Sequence, residues 1–352
     1  MKCSGNIWTA PGFIDLQVNG FAGVDYNSPD APLEEIGRSI RVMFSTGVTR
    51  FFPTVITGSP ERMWGALRNL AAAREWLSEG AAGIGQAAIG QAIEGFHVEG
   101  PHISPDDGPR GAHPREWVRP PDLDEFYRWQ EAARGHVRLV TLSPEWPGAT
   151  RYIEQVVKEG VVVSIGHTRA TSQQIRDAVS AGATLSTHLG NGANPMLPKT
   201  ANYIWEQLAE ERLSASFIVD GIHLPDAFLC AALRAKGIER SVLVTDAVMP
   251  AMCAPGFYEL GEVQVELRDD RRVVLRGGDR LAGSSLRMDQ AIENVMRIAG
   301  ASLEEAVAMA TLNPARVCRV SNHEDEVKFL FEGGTIQIIE THLDGRFVFP
   351  GA

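Results

Sequence analysis

Short apolar stretches, each bounded by Gly, Pro, Asp or His, alternate along this chain with longer segments whose apolar residues fall at helical spacing. That alternation marks βα units. Eight stretches read as strands: 12–18, 49–54, 94–99, 137–142, 161–166, 184–188, 215–220 and 241–246. Between them the spacing predicts helices over 32–45, 60–77, 121–133, 149–158, 171–181 and 225–235. Several open with Pro in the first turn or with Ser or Thr at the cap. Eight strands with intervening helices over roughly 240 residues fit a (β/α)8 barrel, whose usual size is about 250 residues. A doubly wound open sheet is the alternative, but no glycine fingerprint follows the first strand and no phosphate-binding P-loop is present. Gly83 to Gly90 has the wrong glycine spacing for either and reads as a connection.

After residue 246 the pattern changes. Segments 258–267 and 271–275 alternate around Asp269-Asp270 as a polar-tipped hairpin, 283–319 returns to helices, and 327–349 alternates again. The barrel is assigned to 11–320, including an inserted hairpin at 258–276. Residues 1–10 and 321–352 form a small satellite β-domain, to which the few residues before Pro11 are expected to add little. The composition fits this picture: 352 residues, 44% hydrophobic and 22% charged, give ample chain for one large core. No apolar run reaches a membrane span of about 18 residues, and 1–13 lacks the apolar region of a signal peptide. Both features give a cytoplasmic expectation and no membrane partner. Cys3, Cys230, Cys253 and Cys318 are scattered without a CxxC pair, so neither a disulfide framework nor a cysteine metal site is indicated. A net charge of −11 argues against nucleic acid as a partner. It leaves room for one small anionic substrate held by a few local cations.

In a parallel barrel, catalytic groups sit at the carboxyl ends of the strands. Those ends carry Gln17-Val18-Asn19, His97-Val98-Glu99, Gly166-His167-Thr168, Thr187-His188, Asp220-Gly221-Ile222-His223 and Thr245-Asp246. Six polar terminations at one mouth are hard to explain as packing. Two imidazoles and a carboxylate make a three-ligand site whose open fourth position carries water, the arrangement of a catalytic divalent metal. Glu99, His167 and His188 are assigned to it. Zinc leads, with iron, manganese and cobalt sharing these ligand types. Asp246 is placed to take a proton and later deliver it; its alternative is a helix cap or a hydrogen-bonded structural carboxylate. His113 and His223 are candidate substrate contacts or carbonyl polarisers, and His97 shares a face with Glu99. His136, His323 and His342 lie away from strand ends.

At these residues the chain resembles the N-acetylglucosamine-6-phosphate deacetylases of the amidohydrolase superfamily. The resemblance runs from Pro11-Gly12-Phe13-Ile14-Asp15 through His97-Val98-Glu99-Gly100-Pro101-His102, Gly111-Ala112-His113, Ile165-Gly166-His167-Thr168, Thr187-His188-Leu189, Val219-Asp220-Gly221-Ile222-His223, Leu243-Val244-Thr245-Asp246-Ala247 and Leu281-Ala282-Gly283-Ser284 to Asn313-Pro314-Ala315-Arg316. It implies a metal on Glu99, His167 and His188, Asp246 as acid and base, an amino-sugar substrate and a homodimer. It also implies one metal per subunit, because Gln17 and Asn19 stand where much of the superfamily has two histidines. Substrate contacts implied are Ala112, His113, Asn191, Gly192, His223 and the backbone around Leu281, Ala282 and Gly283. The chain departs from the family over Leu189 to Met196, and Lys199 falls near an Arg that, in the family, reaches the sugar phosphate across the dimer, keeping charge without the bidentate fork. The satellite is also reduced before Pro11 and around 321–329. The alternatives are an amidohydrolase acting on another N-acyl amine or cyclic amide, and a non-catalytic barrel used as a scaffold.

Overall fold

A computed structural model describes residues 1–79, 89–260, 263–321 and 324–350. The Gly83 to Gly90 connection as far as Ala88, and His323, lie outside the described residues. Eight strands follow one another in a single sheet: β1 (Phe13–Val18), β2 (Val48–Ile56), β3 (Phe96–Glu99), β4 (Val137–Leu142), β5 (Val162–Ile165), β6 (Leu185–Ser186), β7 (Ser214–Ile218) and β8 (Ser241–Val244). Every pairing along it is parallel. Helices cross between them: α1 (Leu33–Phe44), α2 (Pro60–Ser78), α3 (Leu123–Ala132), α4 (Ala149–Lys158), α5 (Ser172–Ser180), α6 (Tyr203–Ala209) and α7 (Asp226–Lys236). The sheet closes on itself just past β1 and β8, where Asn19 N donates to Ala247 O at 2.7 Å and Asp246 N to Gln17 O at 3.0 Å. The architecture is a (β/α)8 barrel.

Local chemistry explains the helix starts. Ser59 accepts from Arg62 N ahead of a Pro at the head of α2, and Thr171 and Gln174 close a reciprocal capping box on α5. Helix α6 is absent from the sequence reading: two turns are too short to show a period, although Asn202 caps it through Ile204 N and Trp205 N. Strand β6 is shorter than the predicted 184–188: Thr187 N still donates to Ile165 O at 2.9 Å, but His188 leaves the ladder and its N donates to Ser216 Oγ at 2.8 Å.

Besides the short pair Gly20–Phe21 and Val24–Asp25, the β pieces outside the barrel form two separate sheets. Gly256–Leu260, Val263–Leu267 and Val273–Leu275 make a three-stranded antiparallel sheet, so the stretch read as one hairpin arm, 258–267, is two strands. Its buried Val265, Leu267 and Val273 pack with Val248 and Ala282, which places it over the carboxyl ends of the barrel. The satellite has five strands, and Lys2–Ser4 and Ile7–Pro11 supply two of them. The residues before Pro11 therefore contribute more than expected: Ile7–Pro11 pairs with Glu326–Glu332 over five positions. This sheet sits at the opposite end, tied by buried Arg50, whose Nε donates to Asp325 Oδ2 at 2.7 Å. Removing one member of such a pair costs on the order of 3–5 kcal/mol. No helix of the described residues is long and apolar enough to cross a membrane.

Candidate active site

Glu99 ends β3, and His167, His188 and Asp246 each sit two residues beyond β5, β6 and β8. The last three all take left-handed backbone angles, with φ of 48°, 28° and 49°. Non-glycine residues pay roughly 1–2 kcal/mol for that conformation. Here it swings each side chain from the strand direction into the mouth, a strain of the kind that gathers at functional sites.

The donors converge. Glu99 Oε1 lies 2.9 Å from His188 Nε2 and 3.4 Å from His167 Nε2, and the two imidazole nitrogens are 3.1 Å apart. His113 approaches the other carboxylate oxygen, with Nε2 3.9 Å from Oε2. Glu99, His113 and His167 form an overlapping group with one ligand atom each, all within 4.8 Å. His167 Nδ1 lies 2.8 Å from Pro109 O, which can only accept, so Nδ1 carries the proton and Nε2 presents a lone pair. Three electron-pair donors thus face one point with too few protons to share, and a divalent cation satisfies all of them. The residues fit such an ion. Burial opposes the charge of Glu99, yet the neighbouring His167 and His188 hold it well below the usual carboxylate range. Burial, then the neighbouring His167, pushes His113 down to about 3.

Asp246 Oδ1 accepts from Asn19 Nδ2 at 2.7 Å and Gln17 Nε2 at 3.0 Å, while Oδ2 has no hydrogen bond among the described residues. Burial, then repulsion from Glu99, raises Asp246 to about 6. One carboxylate oxygen is therefore anchored and the other is free to exchange a proton.

A cavity of about 310 Å³ opens above these groups, large enough for a small ligand. Of the expected substrate contacts, Ala112, His113, Asn191, Gly192, His223, Leu281, Ala282 and Gly283 line it. Lys199 is exposed and is not among the lining residues. His97 points instead into the barrel, where its Nε2 lies 2.7 Å from Thr141 Oγ1, which meets Thr187 Oγ1 at 2.6 Å.

Sequence reasoning missed the supports. Gln17 Nε2 spans Glu99 Oε1 at 2.9 Å and Asp246 Oδ1, so this residue, placed at the mouth by the sequence but given no role beyond standing for a histidine, aligns both carboxylates. Thr57 Oγ1 holds His113 Nδ1 at 2.8 Å, and Asp220 Oδ2 holds His223 Nδ1 at 2.6 Å. The Asp-x-x-His spacing of 220–223 was the available signal. Pro109 offers none, because its contribution is a backbone carbonyl.

A barrel with a carboxylate, clustered imidazoles and a final-strand aspartate at its mouth is the form of a metal-dependent hydrolase, and the model of the amidohydrolase family matches residues 8–324. The chain belongs to the amidohydrolase family. It is 31% identical over 312 residues to the N-acetylglucosamine-6-phosphate deacetylase of Lysinibacillus sphaericus, covering 89% of this chain and 76% of that one. It is 32% identical over 311 residues to the N-acetylgalactosamine-6-phosphate deacetylase of Escherichia coli O157:H7, covering 88% and 78%. A mutant of the N-acetyl-D-glucosamine-6-phosphate deacetylase from Mycobacterium smegmatis, solved with N-acetyl-D-glucosamine-6-phosphate, superposes with a TM-score of 0.85 at 29% identity, over 97% of this chain and 86% of that one.

Proposed function

We propose that this protein hydrolyses the acetamide of a 6-phosphorylated N-acetylhexosamine, N-acetylglucosamine-6-phosphate first, to acetate and the free amine. The observation that carries this reading is the convergence of Glu99, His167 and His188 beside the free Oδ2 of Asp246 in one cavity. These three residues hold one divalent ion, zinc in this reading, in preference to the group with His113, which faces the other oxygen of Glu99 at the longer distance. Bound there, the ion supplies Lewis acidity, polarising a carbonyl and making water acidic near neutral pH.

Asp246 accepts the proton of the attacking water at Oδ2 and gives it to the departing amine, one group serving both steps because the first loads what the second consumes. Gln17 and Asn19 fix its orientation through Oδ1. His113, neutral and steadied by Thr57, donates toward the amide oxygen as negative charge develops there. A cytoplasmic homodimer belongs to the same reading, supported by four free cysteines and by the exposed Met196 and Trp205 on either side of Lys199.

The test is kcat/KM on metal-replete enzyme for the 6-phosphates of N-acetylglucosamine and N-acetylgalactosamine, the free sugars and N-acetyl amino acids. The phosphorylated sugars are expected to lead. Faster hydrolysis of N-acetyl amino acids overturns the sugar reading, and no hydrolysis of any of them favours a scaffold.

A further inference from the structure

A phosphate ester entering this cavity shares it with two carboxylates, Glu99 and Asp246, and needs a cation of its own. Beside four histidines, the described lining offers one permanently charged cation, Arg280. Its neighbour Asp279 is engaged by Arg268 at 2.9 Å, and no ion pair involves Arg280 among the described residues. The side chain rests against the loop that carries Ala112 and His113, with Nη1 3.5 Å from Gly111 O.

The backbone beneath it is held: Arg280 O accepts from Leu275 N at 2.9 Å and Ala282 N donates to Val273 O at 3.0 Å, fixing Arg280 to the edge of the three-stranded sheet. Arg110, on the same loop, is already paired with Asp107 and the His113 carbonyl. Arg280 lies close enough to Asp107 to add, after Arg110 and Arg115, to the field that holds that carboxyl down. The rim on this side is therefore basic in a protein of net charge −11.

Resting on the substrate reading above, we propose that Arg280 binds the substrate's phosphate from within the same subunit and sets the preference for phosphorylated sugar. A guanidinium matches two phosphate oxygens as a fork. Lys199 does not line the cavity of its own subunit.

The test is the ratio of kcat/KM for N-acetylglucosamine-6-phosphate to that for free N-acetylglucosamine, in wild type, Arg280→Met, Arg280→Lys and Lys199→Met. Hydrogen bonds to charged groups contribute about 1.5–3 kcal/mol, so Arg280→Met is expected to lower the ratio by about tenfold or more, chiefly through KM for the phosphorylated sugar. Arg280→Lys lowers it less, and Lys199→Met moves it by less than about twofold on the same scale. An unchanged ratio in Arg280→Met, equal losses on both sugars, or a collapse in Lys199→Met overturns the proposal while the wild-type preference still stands. A wild-type ratio near one removes the phosphate from the substrate reading itself, and the role of Arg280 with it.

Discussion

Gly192→Ala tests whether the site depends on the close approach of a loop to one imidazole. Gly192 has φ +54°, and a Cβ there would lie 2.5 Å from His167 Nδ1 and 2.9 Å from Cε1. Ordinary contact begins near 3.4 Å, so ring or loop must retreat by about 0.9 Å. Ring movement strains the 2.8 Å bond from Nδ1 to Pro109 O and carries Nε2 away from Glu99 and His188. Displacements of about 1 Å cost on the order of 100-fold in rate. The left-handed alanine costs roughly 1–2 kcal/mol of stability, too little to unfold a protein stabilised by about 5–15 kcal/mol. Gly300→Ala is the control, with φ +70° and nothing within 4 Å of its Cβ: it carries the backbone penalty without the contact. The assay is kcat/KM with N-acetylglucosamine-6-phosphate, metal per subunit by elemental analysis, and the melting temperature. Gly192→Ala is expected to lose roughly 100-fold in kcat/KM, with lowered metal content. Gly300→Ala should melt a few degrees lower and retain activity. Wild-type activity and full metal occupancy in Gly192→Ala would refute the reasoning.

Three further outcomes are expected. Asp246→Asn should keep its metal and lose about 10²- to 10⁴-fold in kcat; substantial turnover removes Asp246 from proton transfer. His167→Ala and His188→Ala should each purify with little metal, so full occupancy by elemental analysis rejects the ligand set. Asp15 offers a pH test of stability. Burial raises it to about 7 from an ordinary 3.8, against three hydrogen-bond donors. A raised carboxyl binds its proton more tightly when folded, so its stabilising contribution is complete below about pH 4 and is lost as pH rises toward 7, a change on the order of 4 kcal/mol. Urea unfolding of Asp15→Asn should show less decline across that window than wild type, and parallel declines would count against the shift.

The barrel was legible because its strands are apolar runs with polar ends, and a side chain just past a strand needs no tertiary information to be placed at the mouth. Glu99, His167, His188 and Asp246 were found that way. What stayed hidden acts through geometry that a sequence does not print. The carbonyl of Pro109 sets the tautomer of His167, and Gln17 reaches two carboxylates on strands distant in the chain. Helix α6 escaped because seven residues cannot display a period. The residues before Pro11 were undervalued because a short strand is recognised by its partner, here more than 300 residues away in Glu326–Glu332.

The join between the first and last strands gives the protein a built-in dependence of chemistry on completeness. Asp246 N bonds Gln17 O across that join, Asn19 N bonds Ala247 O, and the side chains of Gln17 and Asn19 hold the Asp246 carboxylate. The proposed proton carrier is thus also the clasp of the cylinder. Glu99, His167 and His188 come from β3, β5 and β6, away from that join, so in the proposed reaction the metal ligands and the proton carrier rest on different parts of the ring.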